Sequence, residues 1–168
     1  MKLTPLLLPS STWGVNLRNL LGKKWHSLAR QIYKRDSYKC RLCGGKGHRH
    51  PVECHEEWQL NEKDRTLTLA GFISLCPKCH MVQHAGFHFS QGRGNTVLNH
   101  LRLVNGITLV EAQKIIQKAH EDWAKREKLG EWTVIIPSHL IPKEEKAKPR
   151  VESPRTRRGR GPSSSEKS

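Results

Sequence analysis

The sequence predicts an α+β fold built around a small core. Three observations carry this. Apolar residues recur at helical spacing in two segments. Two shorter segments alternate as strands do. Only 35% of the 168 residues are hydrophobic, too few for a large oil-like interior. A chain of this kind needs something besides apolar burial to staple it.

The elements follow in order. Residues 1–22 carry Pro and Gly punctuation and read as irregular. Residues 23–35 read as a helix, because Trp25, Leu28, Ala29, Ile32 and Tyr33 fall on one stripe. Val52 to Gln59 reads as a strand. Asn61 to Asp64 supplies turn residues, and Arg65 to Leu69 alternates Thr and Leu as a second strand. A helix is expected from about Cys76, with Pro77 in its first turn and Gly86 at its end. Residues 87–96 read as a Gly-containing loop and 97–104 as a short helix. Thr108 and Glu111 have the spacing of a capping box and open the longest helix, about 109–128, with Ile115, Ile116, Ala119 and Trp123 on its apolar face. Glu131 to Ile136 reads as an edge strand. The domain is therefore expected at 23–136, with its core at 40–86. Residues 143–168 contain almost nothing apolar and are expected to be a disordered basic tail.

Charge narrows the partner. Lys and Arg outnumber Asp and Glu by 30 to 15, giving a formal net charge of +15. The tail holds nine Lys/Arg and four Glu, so most of the excess lies in the body. A basic body suits a polyanion, DNA or RNA, approached through its phosphates. Lys34, Arg35, Arg41, Arg65, Lys78, Arg93 and Arg102 are the candidate phosphate contacts, which would position a strand but carry little sequence information. No apolar run approaches the roughly 20 residues that span a bilayer, and Leu6 to Leu8 is too short for a signal-peptide core. A reducing cytoplasm is the expected compartment. The oligomeric state is not legible.

In that compartment paired cysteines suggest metal rather than disulfides. Cys40-x-x-Cys43 and Cys76-x-x-Cys79 have the spacing of a closed tetrahedral zinc site, which is structural because no coordination position stays open. Gly44 and Gly45 permit the tight turn after the first pair. Cys54 is left over, either a small buried residue or a ligand.

His80 and His84 lie four apart on the helix that opens at the second cysteine pair, so they share a face and can chelate one divalent ion. His55, in Glu53-Cys54-His55-Glu56-Glu57-Trp58, falls on the strand expected to pack beside them. Its ordinary pKa suits a general base. Adjacent strand residues point to opposite faces, so Cys54 and His55 share a site only if the strand bulges. The other histidines, His48, His50, His88 and His100 among them, read as surface or packing residues.

The run Leu75 to His84 and the variant motif Glu53 to Trp58 resemble the HNH nucleases, a likeness over about Cys40 to His84 that extends through Trp13 to Arg18 and Glu121 to Trp123 to about residues 5–136. The resemblance implies a small ββα-metal, treble-clef-like, zinc-stapled core with flanking helices, encoded in a bacterium or phage and acting in the host cell. It implies a metal-dependent endonuclease that hydrolyses DNA. His55 would be the general base, His80 and His84 would hold Mg²⁺ or another divalent ion, and Cys54 or Glu56 would be an extra ligand. A second alignment makes His55 a third metal ligand and Glu56 the base. Two positions depart from the family pattern: Cys54 stands where an Asp ligand is usual, and Gly71 where an Asn orients the base. The rival functions are a non-catalytic zinc-knuckle module for nucleic acid, and an adaptor docking through the long helix.

Overall fold

The computed structural model describes residues 2–142; the expected basic tail at 143–168 lies outside them. The elements run α1 (Leu17–Leu21), α2 (Lys23–Arg35), β1 (Glu53–Asn61), β2 (Thr66–Leu75), α3 (Pro77–Gln83), α4 (Ala85–Ser90), α5 (Gly94–Asn105), α6 (Leu109–Glu127) and β3 (Thr133–Ile135). Among the described residues this is a mixed α+β chain of six helices and one three-stranded sheet. No described helix is long and apolar enough to cross a membrane.

The hairpin β1–β2 is the centre. Its strands pair antiparallel from Glu53 opposite Leu75 to Asn61 opposite Thr66, and β3 adds parallel to the start of β2. Each face of the hairpin has its own core. On one, Cys54, Leu69 and Phe72 meet the α2 stripe of Trp25, Leu28, Ala29 and Ile32. On the other, Ile73 and Leu75 meet Val82 of α3, Val97 and Leu101 of α5, and Ile116 of α6. Each fully buried large apolar side chain contributes about 1.5–3 kcal/mol, so α2 is held by its stripe rather than by intrinsic helicity.

The longer β2 is a departure from the sequence reading, and its cause is physical. Alternation is legible only where one face is wet. From Phe72 to Leu75 β2 is buried on both faces, so the period-two signal vanishes after Leu69. The register shifts where Glu57 faces Gly71 and Trp58 faces Leu69, leaving Ala70 as the extra residue of a bulge. The helix expected to run to Gly86 breaks earlier: His84 (φ −95°, ψ 36°) separates α3 from α4. The expected loop at 87–96 is partly helical, through Ser90, and α5 begins at Gly94.

The N-terminal segment also departs from expectation. It includes α1, capped by the Asn16 side chain accepting from the Asn19 N–H. Leu3 is fully buried and exchanges two 2.8 Å hydrogen bonds with the Asn105 side chain. Ser10 donates through its N–H and its hydroxyl to Glu127. Residues 2–16 thus strap α5 to α6. The α6 capping box forms as expected, with Thr108 and Glu111 bonded reciprocally.

Asp36 joins α2 to β2. Its buried carboxylate accepts from the Arg35 guanidinium at 2.9 and 3.0 Å and from the Ser74 N–H at 3.0 Å, while Arg35 also donates to the Phe72 carbonyl. Burial alone would raise the Asp36 pKa; the bonds from Arg35 and Ser74 outweigh it and hold it below the ordinary value. Asp36→Ala should destabilise the fold by roughly 2–3 kcal/mol at neutral pH, since it orphans the Ser74 N–H and the guanidinium. A depressed carboxylate pKa stabilises above the unfolded value near 3.9, and the contribution is lost as pH falls through the folded value. Urea titrations of both proteins should therefore differ at pH 7 and converge in strong acid. A gap below about 0.5 kcal/mol at pH 7 would refute the role.

Candidate metal centres

Two clusters of ligating side chains flank the start of α3. The first is Cys40, Cys43, Cys76 and Cys79, whose sulfurs all lie within 4.8 Å of one another. Cys43 and Cys76 are 3.7 Å apart. A tetrahedral ion with Zn–S bonds of about 2.3 Å requires sulfurs about 3.8 Å apart, so the four fit one zinc. The local fold explains the convergence. The Gly44 N–H returns to the Cys40 carbonyl and the Cys40 N–H reaches the Gly45 carbonyl, a tight turn that uses φ +70° at Gly44. Gly47 is equally constrained, because a Cβ there would lie 2.2 Å from the His50 carbonyl oxygen and 2.6 Å from Pro77.

The thiols perturb one another as a metal site does. Hydrogen bonds from Cys76 and Cys79 pull the Cys40 thiol far below its ordinary pKa, and its ionisation pushes Cys76 up to about 11. The first thiolate is favoured and each further one resisted, a cost that a central dication removes. His100, read from sequence as surface or packing, places Nε2 3.2 Å from the Cys79 sulfur, where its N–H can donate to a thiolate.

The second cluster is His55, His80 and His84, with ring centroids 4.7–5.1 Å apart and ligand atoms within 4.8 Å. His84 and His80 approach Nε2 to Nε2 at 3.1 Å. Nitrogens on one zinc, at about 2.0–2.1 Å each, stand about 3.3 Å apart. His55 Nδ1 is buried and has no hydrogen-bond partner among the described residues, as suits a ligand atom. Burial pushes the His55 pKa down to about 3, helped by charge on His80 and His84. Burial and His80 take His84 down to about 4. Both imidazoles are therefore neutral at pH 7, the form that ligates.

Glu53 is the residue that sequence reasoning missed. Its carboxylate accepts from His80 Nδ1 and, at 2.5 Å, from His50 Nε2. Burial would raise Glu53, but those two bonds outweigh it and keep the group ionised. A carboxylate only accepts, so the His80 proton sits on Nδ1 and Nε2 faces His84. The signal was available: Glu53 is two residues before His55 and shares its strand face. Glu53→Gln should weaken divalent-ion binding at the histidines about 10–100-fold while the cysteine site keeps its zinc. Competition titration with a colorimetric chelator reads this, and unchanged affinity would refute it.

No family model matches the chain, and comparison with curated proteins and with solved structures finds none similar to it. Assignment of the site therefore rests on its geometry.

One expected site residue is corrected. Cys54 is not a ligand beside His80 and His84: it points from the opposite face of β1 into the α2 core, 7% exposed, with its thiol pushed up to about 12 by burial. Glu56 shares that parity on β1, opposite Phe72 of the same core, and its carboxyl interacts electrostatically with His80. Burial raises its pKa. Gly71 faces Glu57 at the bulge and offers no side chain to orient His55.

The basic residues separate. Arg35 holds α2 to β2 as described, with its side chain half-exposed. Arg41 lies 3.9 Å from Asp36, Arg65 donates to the Leu129 carbonyl and Arg102 to Asn99. Lys34 and Lys78 are exposed. Arg93 stands over the Phe87 ring at 5.7 Å. Phe87 in turn lines a cleft of about 370 Å³ with Glu53, Pro77, His80, Met81, His84 and His88.

Proposed function

We propose that the chain is a metal-dependent endonuclease of the HNH kind, with a ββα-metal core, acting on DNA. The single observation that carries this is the convergence of His55, His80 and His84 beside a closed four-cysteine cluster, at the mouth of a cleft on a basic chain. A purely structural zinc module has no use for three further imidazoles sharing one point.

In this reading the cysteines hold a structural zinc and the three histidines hold the working ion, His55 as third ligand. Three imidazole nitrogens suit zinc, nickel or cobalt; Mg²⁺ prefers oxygen donors. The ion would supply positive charge for the developing alkoxide and acidify water. The residues of the chain do the rest. Glu53 fixes the His80 tautomer and ring, and His50 holds Glu53 from its far side. Burial keeps His55 and His84 neutral, so they bind a cation rather than repel it. Arg93, Lys78 and Lys34 provide charge for phosphates, which otherwise repel a nucleophile.

The test is nicking or linearisation of plasmid DNA by zinc-loaded protein, with Zn²⁺, Co²⁺, Ni²⁺, Mn²⁺ or Mg²⁺ added and with a chelator. Metal-dependent cutting supports the reading. Tight binding without cutting under every ion would favour the zinc-knuckle binding module instead.

A further inference from the structure

The short helix α4 carries two phenylalanines with different surroundings. Phe89 packs inward: it lies 6.1 Å from the His120 ring, and a Cβ on Gly94 would come within 2.7 Å of it. Phe87 is 60% exposed. Burying its ring would gain about 1.5–3 kcal/mol, so the fold forgoes that gain by holding it out. The ring is not loose. The His88 ring meets it edge-on at 5.3 Å, and the Arg93 guanidinium stands 5.7 Å from its centroid. It forms one wall of the cleft that holds His80 and His84, with Pro77 and Met81 as further apolar lining.

We propose that Phe87 is a stacking platform for an unpaired base next to the phosphate at the histidine cluster, so that the chain prefers DNA with a single-stranded or unstacked nucleotide at the cut. The inference rests on the reading that this cleft takes nucleic acid. Two independent features select the occupant. A flat apolar ring, 60% exposed, with a cation over one face matches a base joined to a phosphate: the base stacks on the face that Arg93 leaves open and the guanidinium faces the charge. A continuous duplex keeps its bases stacked on one another and offers no free face to a side chain, so such a ring engages only a base that has left the stack.

Affinity, measured by fluorescence anisotropy, and cleavage would be compared for one DNA sequence presented as single strand, as a bubble and as full duplex. The proteins are wild type, Phe87→Ala and Phe87→Trp, each checked for an unchanged melting temperature. Wild type should bind the unpaired forms more tightly. Phe87→Ala should lower the ratio of single-strand to duplex affinity on the order of tenfold, and Phe87→Trp should keep it. An unchanged ratio in Phe87→Ala, or a wild-type preference for full duplex, overturns the proposal. The ratio is read from binding, so the two readings fail separately. A protein that binds with the expected ratio but never cuts refutes the nuclease alone. One that cuts with a ratio indifferent to Phe87 refutes the stacking platform alone.

Discussion

If the four cysteines hold a structural zinc, Cys79→Ser should leave the chain without that ion and without a cooperative melting transition. Cys79 is fully buried, and its sulfur lies among those of Cys40, Cys43 and Cys76. Around that cluster sit Leu75, Val82, Val97 and Leu101, so a metal held there would lie inside the larger apolar core rather than beside it. Structural zinc in small domains supplies about 10–16 kcal/mol of apparent binding free energy, against a typical total stability of 5–15 kcal/mol. A hydroxyl does not replace the thiolate, so the lost term is comparable to the whole. Metal analysis and circular dichroism melting check this together, and a strong chelator at neutral pH should reproduce it in the wild type. Cys54→Ser is the control. It removes a buried thiol outside the cluster, and should cost about 1–2 kcal/mol with zinc retained. If Cys79→Ser melts like wild type with full zinc, the cysteine cluster does not staple the fold.

Why Cys79 was legible and Glu53 was not has a physical answer. Paired cysteines announce themselves, because two-residue spacing serves few purposes besides a shared ion. The α2 stripe and the α6 capping box were equally plain, since each writes its geometry within one turn of helix. Glu53 was hidden among three glutamates in five residues; only the pairing of β1 against α3 shows which of them reaches His80. His100 was hidden for the same reason, being 21 residues from the sulfur it faces. The far half of β2 escaped because burial on both faces erases the alternation that identifies a strand. Cys54 misled through composition: cysteine beside histidine reads as a ligand pair, but strand parity turns the two side chains to opposite faces of the hairpin.

The same parity divides the labour of β1. Glu53 and His55 face the helix that carries His80 and His84, while Cys54 and Trp58 face α2. One strand thus joins the histidine cluster to the second core. The knuckle loop reaches the cluster through His50 and Glu53, and α3 begins at the zinc pair and continues into the histidines. A metal held by the cysteines would therefore order the histidine geometry as well, and stripping it with a chelator should disable both sites.

His84→Ala should abolish metal-dependent DNA cutting while the fold survives. His84 is the most exposed of the three histidines and sits at the break between α3 and α4, so truncation opens no core cavity. Loss of one of three ligands should weaken the working ion well beyond the effect of Glu53→Gln, and the bound metal should fall from two ions per chain to the structural zinc alone. Without charge on the leaving oxygen, several kcal/mol of transition-state stabilisation disappear, roughly a thousandfold or more in rate. Metal content, melting temperature and a plasmid assay read the three consequences separately. His55→Ala then discriminates its two roles. As a third ligand it takes the second ion with it; as a base it leaves two ions bound and removes only the cutting. Cutting by His84→Ala at the wild-type rate would refute the histidine cluster as the catalytic centre, whatever the cysteines hold.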